Sequence, residues 1–239
     1  MIKNKEKSVI IIPCYNEAEN IDKLIPLIFR YEKNADILIV DDSSKDNTKE
    51  VIKKLQQKYS NKIFTTNRTG ERSFALSYVD GFKWALSKDY DFIFQMDGDF
   101  SHHPKYLPVL LEQMKDYDLV IGSRYCAKKI STEDWSSRRL VFSLLANFYA
   151  RVITGLPVSD VTGGFKCFRR NVLEVINLNK IYSKGFAVQI EINFLVYKLG
   201  FKIGEVPIIF YGRKYGESKI SFKKIIEGLW IPIKKQIEK

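Results

Sequence analysis

The sequence predicts an α/β domain built on a doubly wound, mostly parallel sheet, and two observations carry this prediction. Short β-branched runs alternate with longer segments of helical period between Ser8 and Ser123, which is the order expected of βαβ units. The runs are apolar at successive positions, as in strands that are buried on both faces. They lie at 9–12, 37–40, 63–64, 92–94 and 119–121. Sheets of this kind bind ligands at the carboxyl ends of their strands.

The segments between and after these runs are predicted helices. Phe74, Tyr78, Phe82 and Leu86 recur at intervals of four residues, which places them on one helix face. Pro104 is suited to the first turn of another helix. The later part of the chain predicts a long apolar helix over 136–153, a glycine turn at 163–164, a helix over 189–199 and two short strands near Ile203 and Ile208.

The composition indicates a globular protein with its own core. The chain has 239 residues, 45% of them hydrophobic and 13% aromatic, enough to fold without disulfides or a structural metal. Cys14, Cys126 and Cys167 are far apart and form no C-x-x-C pair, so a reducing, cytosolic setting is expected. The N-terminus has no apolar signal region, so export is not expected. No apolar run approaches the ~20 residues of a membrane-spanning helix, which predicts a soluble or peripheral protein.

The formal net charge of +11 indicates an acidic partner: nucleic acid, a phosphorylated substrate or the anionic cytoplasmic leaflet of a membrane. Residues 221–239 place apolar side chains among lysines and predict a basic amphipathic helix after a domain over 1–220. This segment would lie on a membrane surface, dock on a small membrane-spanning partner protein, or pack on the domain itself.

A pair of carboxylates is the strongest chemical signal. Asp97-Gly98-Asp99 directly follows the fourth apolar run, and in an extended chain positions i and i+2 point to the same side. The two carboxylates can therefore share one Mg²⁺ or Mn²⁺, which proteins hold with carboxylates, water and substrate phosphate oxygens. Ser101 is a third candidate ligand, and Gly98 would let a ligand approach the backbone. The alternative is an ordinary acidic turn.

Polar clusters also follow the first two strands, so three strand ends are expected to converge on one crevice. In the cluster at 13–17, Tyr15 can cover a nucleobase, and Glu17 either contacts the ligand or compensates a helix dipole. In the cluster at 41–48, Asp42 can accept hydrogen bonds from a base or ribose. Ser44, Asp46 and Asn47 are more typical of helix caps. His102 and His103 are expected to form a turn with solvated imidazoles rather than a base or a metal site.

Together these motifs resemble the dolichyl-phosphate (polyprenyl-phosphate) mannosyltransferase group of the family-2 glycosyltransferases, whose Rossmann-like fold is called GT-A. The resemblance covers nearly the whole chain. Its general part is Pro13-x-Tyr15-Asn16-Glu17, Val40-Asp41-Asp42-x-Ser44-x-Asp46-x-Thr48 and Met96-Asp97-Gly98-Asp99-x-Ser101-His102-x-Pro104. Its more specific part is Gly122-Ser123-Arg124-Tyr125, the stretch 135–147, Thr162-x-Gly164-Phe165, and Gly204-Glu205-Val206-Pro207 through Arg213-x-x-Gly216-Glu217-Ser218-Lys219.

The resemblance implies a role for each matching residue. The nucleoside of a sugar nucleotide would contact Pro13, Tyr15, Glu17, Val40 and Asp42, and the metal and diphosphate would contact Asp97, Gly98 and Asp99. Arg213 and Lys219 would close over the donor phosphates from a mobile loop. Arg124, Arg139 and Ser143 would cradle the acceptor phosphate, and Arg139 and Ser143, four residues apart on the long helix, do share a face.

The implied reaction is transfer of mannose from GDP-mannose to a polyprenyl phosphate by a single, inverting displacement. The acceptor phosphate is mostly dianionic at neutral pH and needs no strong base, so catalysis would rest on positioning and on charge neutralisation by Asp97, Asp99, Arg124 and Arg213. The same long helix offers leucines as a floor for the prenyl chain or as a core stripe. The protein would be peripheral on the cytoplasmic face of the membrane.

Departures from the family pattern leave other functions open. Residues 72–77 replace a glycine-rich segment and Gly98 replaces an alanine, which keeps a donor such as UDP-glucose or UDP-N-acetylglucosamine as an alternative. A phosphatase or phosphotransferase using D-x-D is a further alternative, although that motif usually follows the first strand. Nucleic-acid binding is not expected, because the acidic clusters would repel phosphate.

Overall fold

The computed structural model describes residues 6–126, 130–133, 135–212, 230–231 and 233–234. Its strands are β1 (Ser8–Cys14), β2 (Asp36–Asp41), β3 (Ile63–Asn67), β4 (Phe92–Gln95), β5 (Leu119–Ser123), β6 (Lys166–Arg169) and β7 (Ile203–Pro207). Its helices are α1 (Ala18–Tyr31), α2 (Thr48–Lys58), α3 (Phe74–Leu86), α4 (Leu107–Gln113), α5 (Ser137–Thr154), α6 (Arg170–Val175) and α7 (Val188–Lys198). Short 3₁₀ turns occur at Pro104–Tyr106 and Leu178–Lys180.

Within the described residues the strands form one sheet in the order β3-β2-β1-β4-β6-β5-β7. All neighbours pair in parallel except β6, which is antiparallel to both β4 and β5. The predicted doubly wound, mostly parallel sheet is therefore confirmed. The prediction of two strands near Ile203 and Ile208 is wrong: a single strand ends at Pro207, and the Ile208 N–H continues its pairing by donating to the Ser123 carbonyl.

Helices cover both faces of the sheet because side chains alternate between them along every strand. Along β1, Val9 and Ile11 face α3, α6 and α7, whereas Ile10 and Ile12 face α1, α2 and α4. Each face has its own apolar core, so the sheet is shielded from water on both sides, which explains the continuous apolar runs in the sequence.

Helix α3 confirms the period-four prediction and packs tightly on the sheet. It runs from Phe74 to Leu86, and the hydroxyl of its N-cap residue Ser73 accepts a hydrogen bond from the Leu76 N–H. A Cβ atom at Gly81 would lie 2.5 Å from Cγ2 of Ile11, so only glycine permits this close approach of the helix to β1. The approach brings Tyr78 to the end of β4, where it enters the site.

Helix α5 confirms the long helix predicted over 136–153 but departs from a core helix. It begins after Ser136, whose hydroxyl accepts a hydrogen bond from the Arg139 N–H, and ends at the left-handed Gly155. Only Asn147, Ala150 and Thr154 are buried. Five apolar side chains on it are between 53% and 63% exposed: Val141, Phe142, Leu145, Phe148 and Val152. This outward apolar face, hereafter the α5 apolar face, is not a core stripe.

Among the described residues, no helix combines the length and hydropathy required to cross a bilayer. Arg213 and Lys219 lie outside the described residues, as does most of the segment 221–239. Of that segment, Ile231 is buried and the Lys234 amine lies 3.3 Å from the centre of the Tyr182 ring. At Lys234 the segment therefore contacts the body of the domain.

Candidate functional site

Three loops meet at the carboxyl edge of the sheet, after β1, β2 and β4. Each contains a non-glycine residue in the left-handed region: Asn16 (φ 53°), Ser43 (φ 63°) and Phe100 (φ 65°). Such conformations persist only where the surroundings hold them, and they are common at binding sites. The first two loops hold each other, because the Asn16 N–H donates to the Ser44 hydroxyl and the Asp42 N–H donates to the Cys14 carbonyl, both at 2.9 Å.

These loops border a cavity of about 740 Å³ that also receives residues from α3, α5 and α7. The predicted residues on its wall are Pro13, Tyr15, Glu17, Asp42, Asp97, Gly98, Asp99, Ser101, Arg124, Arg139 and Ser143. Val40 is absent from the wall, since its side chain is fully buried in the core beside α3. The structure thus brings most of the predicted donor, metal and acceptor residues into a single cavity.

The carboxylate pair is held from two sides. Asp97 Oδ1 accepts a hydrogen bond of 2.7 Å from the hydroxyl of Tyr78. Burial and the nearby Asp97 charge raise the pKa of Tyr78 well above its usual value, so the phenol stays protonated and donates. Asp99 Oδ1 accepts from the hydroxyl of Ser101 at 2.6 Å and from its N–H at 3.1 Å. Both carboxylates are therefore oriented before a ligand arrives.

The donor atoms here suit a hard divalent cation. In the described part of the chain no cluster of three or more His, Cys, Asp or Glu side chains is arranged to hold a metal, so any cation would depend on Asp97 and Asp99 with water and ligand oxygens, the usual set for Mg²⁺. The hydroxyl of Ser101 is bonded to Asp99, and its direct coordination of a metal stays a prediction. A Cβ at Gly98 would face Ile12 and the Pro13 carbonyl, so its small size serves packing against β1.

The prediction that the His102 imidazole is solvated is wrong. Its ring is 1% exposed and stacks on Phe165 with the ring centres 5.1 Å apart. Burial lowers the pKa of His102 to about 4, so the imidazole is neutral at ordinary pH. Its Nδ1 accepts a hydrogen bond of 3.1 Å from the Asp97 N–H, which places the ring proton on Nε2. His102 thus fixes the backbone of the carboxylate loop, whereas the half-buried His103 caps the following 3₁₀ turn.

On the donor side, several predicted ligands have partners within the protein. The Asp42 carboxylate accepts from Arg68 Nη1 and, at 2.9 Å, from the Ser73 N–H. The guanidinium of Arg72 lies 4.0 Å from the centre of the Tyr15 ring. A base that stacks on this face of the ring must displace Arg72 or lie over both groups, and Arg72 itself borders the cavity.

The remaining loop residues mostly stabilise the loops. Asn20 donates to the Glu17 carboxylate, and the Glu17 N–H donates to the Thr48 hydroxyl. The cap prediction is correct in kind for Asp46, which accepts from the Thr48 N–H at the start of α2. Asn47 occupies the N-cap position of α2, although its side chain makes no cap bond. The prediction is wrong for Ser44, whose hydroxyl accepts from the Asn16 N–H instead.

On the acceptor side, Arg124 is buried and fixed by Asp160. Its Nε and Nη2 atoms each donate at 2.7 Å to the two carboxylate oxygens, and Nη2 also donates to the Thr162 hydroxyl at 2.6 Å. The Arg124 guanidinium lowers the pKa of Asp160 despite its complete burial. Nη1 makes no hydrogen bond within the described residues, so this edge of the guanidinium is available to an anion.

Two further polar groups from α5 complete this side. The Arg139 guanidinium lies 4.2 Å from the centre of the Trp135 ring. The Ser143 hydroxyl is 2.8 Å from that of Tyr125. Arg124, Arg139 and Ser143 therefore form part of the wall of the same cavity as Asp97 and Asp99.

A supporting network under this wall was not predicted. The carboxylate of Glu205 accepts from the N–H groups of Ser159 and Asp160, and the Asn147 side chain accepts from the Val161 N–H. The only sequence signal for Asp160 is an acidic residue shortly before the glycine turn 163–164. Gln189, also missed, borders the cavity from α7.

Comparisons with known proteins agree with this geometry. The family described as Glycosyl transferase family 2 matches residues 9–176. A polyprenol monophosphomannose synthase of Mycolicibacterium smegmatis is 35% identical over 230 residues, 96% of this chain and 86% of that protein. An undecaprenyl-phosphate mannosyltransferase of Micrococcus luteus is 36% identical over 213 residues, 88% of this chain and 86% of that protein.

Solved structures show the same fold at low sequence identity. Glucosyl-3-phosphoglycerate synthase from Mycobacterium tuberculosis in complex with uridine diphosphate superposes with a TM-score of 0.66 at 13% identity, covering 96% of this chain and 80% of that one. The same enzyme with Mn²⁺ and UDP-glucose gives a TM-score of 0.64 at 13% identity, covering 98% and 78%.

Proposed function

The chain belongs to glycosyl transferase family 2 and is a glycosyltransferase of GT-A fold, and from this premise we propose that it transfers mannose from GDP-mannose to a polyprenyl phosphate. The names of both curated relatives support this acceptor and this sugar. Membership of the family leaves no support for the phosphatase alternative. A UDP-sugar remains the alternative donor.

One observation carries the proposal: a carboxylate pair and two arginine side chains border the same cavity. Asp97 and Asp99 suit a cation that binds a diphosphate, whereas Arg124 and Arg139 suit a second phosphate group. A site for an uncharged alcohol acceptor would not need two guanidinium groups on the wall of the same cavity.

In the proposed reaction the acceptor phosphate oxygen forms a bond to the sugar C1 while the bond from C1 to the diphosphate oxygen breaks. Attack opposite to the leaving group inverts the anomeric centre. The acceptor is mostly dianionic at neutral pH, so no side chain needs to remove a proton. Arg124, Arg139 and Ser143 would hold the phosphate in line, which lowers the entropic part of the barrier.

Asp97 and Asp99 would hold Mg²⁺ or Mn²⁺, and the solved glucosyl-3-phosphoglycerate synthase complex with Mn²⁺ and UDP-glucose supports a divalent cation in this fold. When bound, the ion supplies positive charge to the diphosphate leaving group. Tyr78, Ser101 and His102 fix the two aspartates for this task. Arg213 and Lys219 would add positive charge from the segment beyond the described residues.

The acceptor lipid would leave the cavity along α5. Arg139, Phe142 and Ser143 border the cavity, and Phe142 also belongs to the α5 apolar face. Arg138 and Arg151, both exposed, flank that face, which suits anionic lipid headgroups. We therefore place the protein peripherally on the cytoplasmic face of a membrane, with the α5 apolar face against the lipid and the prenyl chain between them.

A donor panel tests the proposal. Purified protein with Mn²⁺ or Mg²⁺ in detergent is incubated with a short polyprenyl phosphate and labelled GDP-mannose, UDP-glucose or UDP-N-acetylglucosamine. We expect labelled lipid from GDP-mannose alone, and NMR of the product should show an inverted anomeric centre. Transfer only from a UDP-sugar would remove mannose, and transfer only to a soluble acceptor would remove the lipid.

A further inference from the structure

The cavity contains a buried amide with an unused donor. Gln189 lies near the start of α7 and is 3% exposed. Its side chain borders the cavity, and its Nε2 has no hydrogen-bond partner in the described part of the chain. An unpartnered buried donor is costly, so one that faces a ligand cavity points to a ligand group that accepts its hydrogen bond.

The direction of this amide is set by Lys166 on β6. The Lys166 amine, fully buried, donates to Gln189 Oε1 at 2.7 Å and to the Gln189 carbonyl at 3.2 Å. Gln95 Nε2 also donates to Oε1 at 2.7 Å. Gln95 could rotate its own amide and accept instead, whereas protonated Lys166 has only donors. In this form Lys166 holds Oε1 on its side, and Nε2 points away from the amine.

The space in front of Nε2 is kept open by a glycine. A Cβ atom at Gly164 would lie 3.5 Å from Gln189 Nε2, 3.6 Å from Asp97 Oδ2 and 3.4 Å from His102 Cε1. The amide and the Asp97 carboxylate thus border the same small volume. Thr162, which is bonded to Arg124, lies two residues before Gly164. This volume therefore lies beside the Asp97 carboxylate.

We propose that Gln189 determines sugar specificity by donating a hydrogen bond from Nε2 to a hydroxyl oxygen of the donor hexose, and that Lys166 is a positioning residue that acts through this amide. The inference rests on the proposed function, since it needs a sugar nucleotide in the cavity. It goes further by assigning the sugar contact to α7 and β6, two elements outside the strand-end loops.

The test separates sugar contacts from nucleotide contacts. Calorimetry with Mn²⁺ measures the affinities of GDP and GDP-mannose, and of UDP and UDP-glucose, for the wild type, for Gln189→Met and for Lys166→Met. For the pair that the wild type prefers, we expect both variants to keep the affinity for the nucleotide alone within about twofold. The ratio of the sugar-nucleotide affinity to the nucleotide affinity should fall on the order of 10-fold, which is the effect of losing one buried hydrogen bond.

Monodeoxy analogues of the preferred sugar nucleotide identify the hydroxyl. Removal of one hydroxyl should weaken binding to the wild type on the order of 10-fold and leave both variants unaffected. The two substitutions should also be non-additive, because Lys166 acts through Gln189. Gln56→Met is the matched control: its Nε2 donates to the Ile63 carbonyl far from the cavity, and it should behave like the wild type.

The outcomes are distinguishable. If the hexose adds as much affinity in Gln189→Met as in the wild type, and this variant still discriminates between the deoxy analogues, the assignment of Gln189 is wrong. If only Lys166→Met retains both properties, the positioning role of Lys166 is wrong. A wild type that binds none of the sugar nucleotides overturns the proposed function and the inference together. Nucleotide affinity and thermal melting report whether each variant is folded.

Discussion

Arg124 and Asp160 form a buried ion pair with two parallel hydrogen bonds, each of 2.7 Å. Asp160 is completely buried, and the Arg124 guanidinium also faces the rings of Tyr125, Trp135 and Phe210. Two-bond geometry fixes the plane of a guanidinium as well as its position. Arg124, which we propose contacts the acceptor phosphate, is therefore held in place by a residue that does not border the cavity.

We expect Asp160→Asn to lower the free energy of unfolding by about 3–5 kcal/mol, because it leaves the Arg124 charge buried without a partner. Urea denaturation measures this. The control is Asp89→Asn, which removes the exposed partner of Lys7 and should have no measurable effect. Equal losses in the two variants would show that the buried Arg124–Asp160 pair contributes no more to the free energy of unfolding than the exposed Lys7–Asp89 pair.

Asp99→Asn should reduce turnover at least about 100-fold and leave the melting temperature unchanged, because the site loses charge needed for a cation and a diphosphate. Mn²⁺ affinity in the presence of the nucleotide should fall in parallel. The exposed Asp116 provides the control substitution to Asn. Unchanged turnover by Asp99→Asn would remove this residue from the metal site.

Arg139→Ala should raise KM for a short polyprenyl phosphate about 10-fold with little change in KM for the donor, because one charged hydrogen-bond donor to the acceptor phosphate is lost. Steady-state kinetics in detergent separate the two constants. The exposed Arg30 on α1, replaced by alanine, serves as the control. An effect confined to the donor would place Arg139 on the other side of the reaction.

Lys166 predicts a pH dependence of stability. Burial lowers the pKa of its amine to about 7 from the ordinary 10.5, although Asp160 and Asp97 oppose the shift. Between these two pH values the unfolded chain binds a proton that the folded chain does not, so stability rises with pH. In metal-free protein, the free energy of unfolding of the wild type minus that of Lys166→Met should increase by on the order of 3 kcal/mol from pH 6.5 to 9.5. A constant difference would contradict it.

The α5 apolar face predicts lipid binding. Replacing Leu145 and Phe148 together by glutamate should weaken binding to anionic phospholipid vesicles on the order of 100-fold, since two exposed apolar side chains would no longer enter the lipid. Vesicle flotation measures this. Val175→Glu on α6, where Val175 is 56% exposed, is the control. If all these variants float as the wild type does, another surface contacts the membrane.

Local patterns explain why much of the fold was predictable. The four-residue period of Phe74, Tyr78, Phe82 and Leu86 depends only on the helix that contains them. Each of the five apolar runs that form parallel strands is likewise visible within its own short segment. The strand β6 was missed because four residues that begin with a lysine carry too little pattern. Its antiparallel direction depends on pairing with β4 and β5, which are far away in sequence.

The site residues also fall into two groups: those predictable from local sequence and those whose roles depend on distant partners. The rule that ligands bind at the carboxyl ends of strands located Asp97 and Asp99 without any partner residue. His102 was misjudged because a His-His-Pro step has the same sequence whether its ring is solvated or stacked on Phe165. Asp160 and Gln189 acquire their roles from Arg124 and Lys166, 36 and 23 residues away in the chain. Contacts of that range leave no periodic signal.

The register in which β6 pairs with β4 decides which β6 side chain lies beside Gln189. Gln95 pairs with Lys166, and Phe94 with Cys167, so lysine and cysteine project to opposite faces of the sheet. Loss or gain of a single residue between Gly164 and Lys166 would exchange them. The Lys166 amine would then lie in the apolar layer beside α1 and α4, and the Cys167 thiol would lie beside Gln189. The proposed hydroxyl recognition would be lost although every residue that borders the cavity is still present in the sequence.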